Sequence, residues 1–385
     1  MTPEILTLPL LQLASGDQLT LQVYRFQGSQ PGKKAYLQAN LHGAEISGNG
    51  VIYQLIEFLQ TLSDDQLIGE IWLVPLCNPV GVNQRSHHFS SGRYHNYDGK
   101  DWNRIFWDYE KTDADIAAFA RAHLELEPAV IKTQYRQVIC ETFHQLQSEL
   151  KTSRLAPYSE HYRYQLQSLC VDADYVLDLH SSTNQALDYL YCFHSRPESA
   201  RAFLLNWGIL MTEYDGDAFD EAFLKPWLAL EDCLADLGQP TVFDVEAWTL
   251  ELGSGMEMNP DSVAVGVRGI KNYLATKGML KIDGFPRPET ATHTIQLTLK
   301  ENIQKYYAPA GGMIQNRVAL GTMVEAGETL YEILSFNKAT ALPQVIPVEA
   351  TAPGRIFDQS TNQSVNQFDY VLSMMIELPN SESNH

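Results

Sequence analysis

Apolar and polar positions change rhythm several times along this chain, and each change marks an element. Over residues 5–40 short apolar runs alternate with turn signals, as in LTLQVYRF (19–26) before QGSQPGKK, and predict two or three strands. Residues 35–41 are apolar enough for a central strand. From residue 49 to residue 62 apolar side chains fall at Val51, Ile52, Leu55, Ile56, Leu59 and Leu62, the spacing of a helix that opens near Gly48. Ser63-Asp64-Asp65 ends it, and residues 71–76 (IWLVPL) read as the next buried strand. Strand, helix, strand in this order predicts an α/β sheet covered on both faces.

Residues 77–104 break the pattern. They are rich in Gly, Asn, Ser, Arg and His and read as one long loop, which in a compact domain is usually functional or disordered. Helical spacing returns over residues 113–150, with a break at Glu127-Pro128, and over 159–170. Residues 175–179 (YVLDL) are a buried strand that ends at His180, and 186–195 are another strand. Residues 199–211 and 218–237 are expected to be helices, 241–252 to contain a strand, and 261–276 to be a further helix. After Gly284-Phe285-Pro286 the helical period is gone. Residues 290–380 hold short Val, Ile, Leu and Thr strands between Gly and Pro turns. APAGGMI (308–314) and APGRIF (352–357) look alike, and each precedes a polar turn and an apolar strand. That predicts an all-β barrel or sandwich of two similar halves. The SESNH tail is expected to be disordered.

Composition narrows the function. The 385 residues suffice for a large core and suggest two domains or three. The net charge of −20 repels phosphate backbones, so nucleic acid is not an expected partner. The cysteines Cys77, Cys140, Cys170, Cys192 and Cys233 are odd in number, widely spaced and without a CxxC, which argues against a disulfide framework or a thiolate zinc site. The first residues lack a basic region and a cleavage pattern, and no apolar run is long enough for a membrane span. A cytoplasmic protein without a membrane partner is expected.

Chemistry gathers at strand ends. His42 and Glu45 lie on the loop between the central strand and its helix, where α/β sheets place their sites. An imidazole and a carboxylate at that spacing can share a metal ion. A catalytic zinc takes three protein ligands and leaves a position open. His180, at the end of another sheet strand, is the candidate third ligand; the plainer alternative is a His bonded to a loop carbonyl. In DWNR (101–104) Asn103 and Arg104 can bind a carboxylate, Arg with a two-pronged fork, and Asp101 can fix the tautomer of a metal-binding His. A helix-capping turn is the alternative there. Glu251, near the end of an apolar strand before glycines, has the placement of a general base. Glu246 is an alternative base, but five residues earlier on a strand it faces the other side. His87-His88 reads as a solvated pair.

Taken in order, HGAE, NPVG, DWNR, DLHSS and TLELG resemble the succinylglutamate desuccinylase/aspartoacylase family, a branch of the zinc carboxypeptidase-like fold. The resemblance covers about residues 30–280. It implies a mixed, mostly parallel sheet in a catalytic domain over residues 1–285, and one Zn2+ per chain held by His42, Glu45 and His180. It also implies Glu251 as general base and later proton donor, Asn103 and Arg104 as the clamp on the substrate carboxylate, and Asp101 behind His42. The family has an Arg shortly before this motif that polarises the scissile carbonyl. Arg93 and Arg85 are the candidates, and Arg93 stands nearer to DWNR.

The implied function is a zinc-dependent amidohydrolase that cleaves an N-acyl amino acid with a metal-activated water. A metallocarboxypeptidase acting on peptide C-termini and a non-catalytic zinc- or ligand-binding relative are the alternatives. Residues 286–380 resemble a biotinyl/lipoyl-type barrel. Lys338 in Asn337-Lys338-Ala339 stands near the carrier position, but the spacing departs from the carrier pattern. The other role for such a barrel is to shape the active site or to form a homo-oligomer contact.

Overall fold

The computed structural model describes residues 1–112, 115–153, 155–193, 195–213, 217–336 and 342–376. The first half runs β1 (Glu4–Gln12), β2 (Gln18–Gln27), β3 (Gln30–Ala39), α1 (Ser47–Thr61), β4 (Ile68–Val74), α2 (Pro79–Val82), α3 (Ile116–His123), α4 (Pro128–Thr152) and α5 (Tyr158–Gln167). Then come β5 (Tyr175–Ser182), β6 (Gln185–Ala186), β7 (Tyr189–Phe193), α6 (Pro197–Arg201), β8 (Trp207–Met211), α7 (Phe219–Asp236), β9 (Glu246–Ser254), α8 (Pro260–Thr276) and β10 (Gln296–Leu299). Nine of these strands form one sheet in the order β1-β2-β4-β3-β5-β9-β7-β8-β10. Its centre is parallel, β4 to β3 to β5 to β9, and its margins include antiparallel pairs. The fold is therefore α/β with a mixed, mostly parallel sheet.

Side-chain alternation along the central strands explains both layers. Ala35, Leu37 and Ala39 of β3, Tyr175, Leu177 and Leu179 of β5, and Trp248, Leu250 and Leu252 of β9 all face one core, shared with Val51 and Leu55 of α1 and Ile270 and Tyr273 of α8. Tyr36, Val176 and Ala247 face the other, with Ile131 and Tyr135 of α4, Tyr162 of α5 and Leu224 and Trp227 of α7. On that second face the strands turn polar toward their carboxyl ends. The positions two and four residues further on are Gln38, Asp178 and His180, and Thr249 and Glu251.

Two elements differ from the expectation. Residues 199–211 are not a helix: they hold the short α6 and then β8, which pairs in parallel with β7. Their apolar run is nearly continuous, as suits a strand buried on both faces, and such a run carries no period to separate strand from helix. β10, expected among the C-terminal strands, pairs with β8 and extends the main sheet to Leu299.

The remaining strands are β11 (Ile303–Tyr307), β12 (Gly312–Gln315), β13 (Met323–Val324), β14 (Thr329–Ser335), β15 (Gln344–Glu349), β16 (Gly354–Gln359), β17 (Ser364–Val365) and β18 (Tyr370–Ile376). They make two antiparallel sheets around a core that includes Ile314, Leu330, Ile333, Ile356, Val371 and Met374. The two look-alike pieces lead into equivalent hairpins, β12 with β14 in one sheet and β16 with β18 in the other. Lys338 and the SESNH tail lie outside the described residues. The five cysteines are free, and among the described residues no helix is long and apolar enough to cross a membrane.

Candidate metal centre and active-site cleft

The loop after β3 is held by its neighbours on every side. Asn40 takes a left-handed conformation, φ 71°, and its Nδ2 donates to the carbonyls of His42 and Gly43 at 3.1 and 3.0 Å. Asn78, of the NPVG stretch, donates to Leu41 O at 2.7 Å and accepts from Gly81 N at 2.9 Å. Gly43 N and Ala44 N donate to Gly92 O and Ser91 O at 3.2 and 2.9 Å. Packing is so close that a Cβ on Gly43 would stand 2.2 Å from Gly81 O. His42 and Glu45 therefore project from a fixed loop.

His180 reaches the same point from β5. Its Nδ1 lies 2.7 Å from Glu45 Oε2, and His42 Nδ1 lies 3.0 Å from Glu45 Oε1. The three side chains are buried, and their ligand atoms lie within 4.8 Å of one another. Each far ring nitrogen is occupied. His42 Nε2 is 3.0 Å from Asp101 Oδ1, and His180 Nε2 is 2.9 Å from Asp178 Oδ2. Those carboxylates only accept, so the Nε2 atoms carry hydrogen and the Nδ1 lone pairs are left for a cation. Two nitrogens and a carboxylate thus converge as a set that could hold a metal ion. Among the described residues it is the one group of three His, Cys, Asp or Glu that does so.

Electrostatics agree with the geometry. Burial would push the Glu45 carboxyl up, but the imidazoles of His42 and His180 outweigh it and hold Glu45 well below the carboxylate range. Burial likewise works against charge on His180, yet Asp178 and Glu45 raise its pKa well above 6.5, so a metal cation binding at Nδ1 would take the place of a proton there. Asp101, also partly desolvated, is kept low by His42 and Arg93. Glu251 is different. Burial pushes its carboxyl up to about 7, against the pull of His180, and its Oε2 has no hydrogen-bond partner. The register pairs His180 with Glu251, so both stand on one face of the sheet.

These groups open onto a cleft of about 720 Å³. Arg93, Asn103 and Arg104 line it beside His42, Glu45, His180 and Glu251. Arg93 Nε donates to Asp101 Oδ2 at 2.9 Å, and its Nη1 lies 3.9 Å from Glu45 Oε1. Arg85 instead donates to the carbonyls of Val82 and Gln84 and is not among the lining residues. Asn103 Oδ1 accepts from Phe219 N at 2.8 Å, which leaves its Nδ2 for a ligand. Glu246 is outside the cleft, bonded to Lys277, Ser199, Tyr273 and Trp248. His87 and His88 meet edge to face in the exposed loop with ring centroids 3.9 Å apart.

Sequence reasoning missed several lining and supporting groups. Asp178, tied also to Gln38 Nε2 at 3.0 Å, could have been found from its spacing of two from His180, which puts both on one strand face. Thr183, whose hydroxyl lies 3.3 Å from Glu45 Oε1, follows the DLHSS stretch directly. Asp220, Lys300 and Lys305 come to the cleft from other elements, and nothing in their local sequence marks them.

The catalytic-domain model of the succinylglutamate desuccinylase/aspartoacylase family matches residues 31–276. No curated protein matches the chain. A candidate succinylglutamate desuccinylase/aspartoacylase from Shewanella frigidimarina is 29% identical, with TM-score 0.87 over 98% of this chain and 98% of its own. A candidate member of the same family from Shewanella amazonensis is also 29% identical, with TM-score 0.85 over 97% of this chain and 98% of its own. The ectoine utilization protein EutE (DoeB) from Ruegeria pomeroyi, solved with product bound, shares the fold at 15% identity, with TM-score 0.66 over 97% of this chain and 94% of its own. The matched catalytic domain takes in well over half of the residues, from the first residues of β3 to the end of α8, and the chain belongs to the succinylglutamate desuccinylase/aspartoacylase family.

Proposed function

We propose that this protein is a zinc-dependent amidohydrolase that cleaves an N-acyl amino acid to a free acid and an amino acid. Membership of a hydrolase family supports the reaction class. The observation that carries the reading is the convergence of His42 Nδ1, His180 Nδ1 and Glu45 beside a buried Glu251 whose Oε2 is unpartnered. Two imidazoles and one carboxylate suit zinc, one ion per chain, with a position left open toward the cleft. When bound, zinc supplies a Lewis acid that polarises a carbonyl and brings the pKa of water toward ~7.

The chain's own groups supply the rest. Glu251 takes the proton of the attacking water at its carboxylate and returns it to the leaving amine as the C–N bond breaks. Arg93, held by Asp101, donates to the oxyanion that develops on the carbonyl oxygen. Asn103 Nδ2 and the Arg104 guanidinium hold the substrate's α-carboxylate, so binding energy is used for alignment. Asp101 and Asp178 keep both imidazoles in the ligating tautomer.

A metallocarboxypeptidase is the second reading. It is favoured by a continuation of the cleft, about 580 Å³, between Tyr189, Tyr191, Tyr307, Phe357 and Tyr370, which offers room for a longer acyl side. The test is metal content by mass spectrometry on wild type and His180→Ala, beside a panel of acetyl- and succinyl-amino acids and of dipeptides. About one zinc per chain, lost in the variant, with cleavage of N-acyl amino acids, is expected. Cleavage of peptides alone would favour the second reading. No metal after zinc reconstitution would overturn both.

A further inference from the structure

Charge is divided along the cleft. Arg93, Lys300 and Lys305 line the stretch that continues toward the C-terminal sheets. The wall next to Asn103 is of another kind. Phe193 and Met211 pair across β7 and β8, Thr249 pairs with Tyr191 across β9 and β7, and all four line the cleft. Asp220 closes this part, with the Thr249 hydroxyl as its polar neighbour. Its place is fixed by the residue before it, since Phe219 N donates to Asn103 Oδ1 at 2.8 Å. Asp220 thus stands immediately beside the proposed carboxylate clamp, where the side chain of a bound amino acid would lie.

Asp220 is 4% exposed, and among the described residues no Lys, Arg or His forms an ion pair with it. Asp220 stands in the first turn of α7, where the helix end favours negative charge, while Ala218 is the N-cap and no side chain caps that end. Burial, with Glu221 and Asp178 adding to it, pushes its carboxyl up to about 7, against the weaker pull of the Thr249 hydroxyl and of His180. Charged groups buried in proteins are generally paired. Here the open side of the carboxyl is the cleft, and the partner that can enter is the substrate.

We propose that Asp220, with Thr249, forms the floor of the amino-acid side-chain subsite and selects N-acyl amino acids whose side chain carries an ammonium or guanidinium group. This rests on the amidohydrolase reading of the same cleft. The polar end of such a side chain meets Asp220, and its methylenes lie along Phe193 and Met211.

The test compares kcat/KM of the zinc-loaded protein on Nα-acetyl-L-ornithine, Nα-acetyl-L-glutamine and Nα-acetyl-L-glutamate, with calorimetric binding of the free amino acids alongside. The ornithine derivative should lead by about ten- to a hundredfold, the range of one charge-assisted hydrogen bond. Asp220→Asn should remove that lead mainly through KM for the ornithine substrate. Equal or better cleavage of the glutamine or glutamate derivative by wild type would overturn the subsite and leave the amidohydrolase reading standing; this comparison does not depend on how the variant folds. An unchanged ornithine preference in Asp220→Asn would overturn it too, as would equal losses on all three substrates. Ornithine binding that Asp220→Asn abolishes, in a protein that hydrolyses nothing, would support the subsite and remove the amidohydrolase reading.

Discussion

Glu251 carries a buried oxygen that no donor in the described structure satisfies, and a pKa pushed up to about 7 by burial. A carboxyl with that value accepts a proton and gives it back near neutral pH. Glu251→Gln keeps the shape and removes the base. We expect kcat to fall by ~10²–10⁴ with metal content unchanged, read by steady-state kinetics and metal analysis on one sample. An unaltered kcat would move the base elsewhere. Asp178 makes a second prediction at this scale. It is fully buried and holds His180 Nε2 at 2.9 Å while accepting from Gln38. Asp178→Asn offers an amide where the ring needs an acceptor, and the Nδ1 lone pair is no longer assured. Zinc affinity should drop ~10–100-fold in chelator competition, the usual loss when the group behind a ligating His is changed. Equal affinity in variant and wild type would show that the ring orientation is set by packing alone.

Elements bring these residues together by two devices, a clamped loop and strand parity. The clamp depends on bare backbone. With a Cβ 2.2 Å from Gly81 O, Gly43→Ala must move the loop that carries His42. A loss of roughly 1–3 kcal/mol of unfolding free energy, read in denaturant titrations, and sub-stoichiometric zinc are expected together; a fully loaded variant would show that the loop can shift without releasing its ligand. The other end of β5 is anchored by Asp174, whose carboxylate accepts from Lys34 N, Lys132 Nζ and Arg136 Nη2 at 3.0, 2.8 and 2.8 Å. Burial works to raise its pKa, but Arg136 and Lys132 outweigh it and hold the group below 3.8. Its stabilisation is therefore present above about pH 4 and fades as pH falls through the depressed value. Asp174→Asn should lower unfolding free energy by roughly 1.5–3 kcal/mol at pH 7 in denaturant titrations, with the difference shrinking in acid. Parity was legible without a structure: five residues separate Glu246 from Glu251, and they do face opposite sides. Periodicity also located α1, β4, β5 and α8. It failed at residues 199–211 because a fully buried strand has no polar side to mark its period. Asp220 was illegible for another reason. Its meaning comes from Asn103, more than a hundred residues away in sequence, and from a wall built by β7, β8 and β9.

At the scale of the whole molecule, the C-terminal β sheets are joined to the candidate metal centre rather than strung behind it. β6 leaves the sheet just past His180 and pairs with β16, while Leu187 N donates to Phe357 O at 3.0 Å. Asp358 of β16 is the hub of this contact. Its carboxylate accepts from Ser182 Oγ at 2.5 Å, Asn184 Nδ2 at 3.3 Å and Tyr370 OH at 2.5 Å. Ser182 and Asn184 follow a zinc-ligand candidate by two and four residues and line the cleft, and Lys305 and Tyr307 of β11 line its continuation. We propose that this β region shapes the outer cleft and steadies the segment after His180. Asp358→Ala tests the arrangement without removing any part of the chain. Three partly buried hydrogen bonds are lost, each worth roughly 0.5–1.5 kcal/mol, so the melting temperature should fall measurably. His180 keeps its own partners Asp178 and Glu45, so zinc content should stay near one per chain. The walls of the cleft would loosen, and kcat/KM should drop by about tenfold, with KM rising more than kcat falls, because misplacement of substrate-positioning groups is costly even when the reacting groups remain. A variant that melts earlier yet keeps wild-type KM would show that the β region only braces the fold, and its outer surface, as an oligomer contact, would then be the place to seek its function.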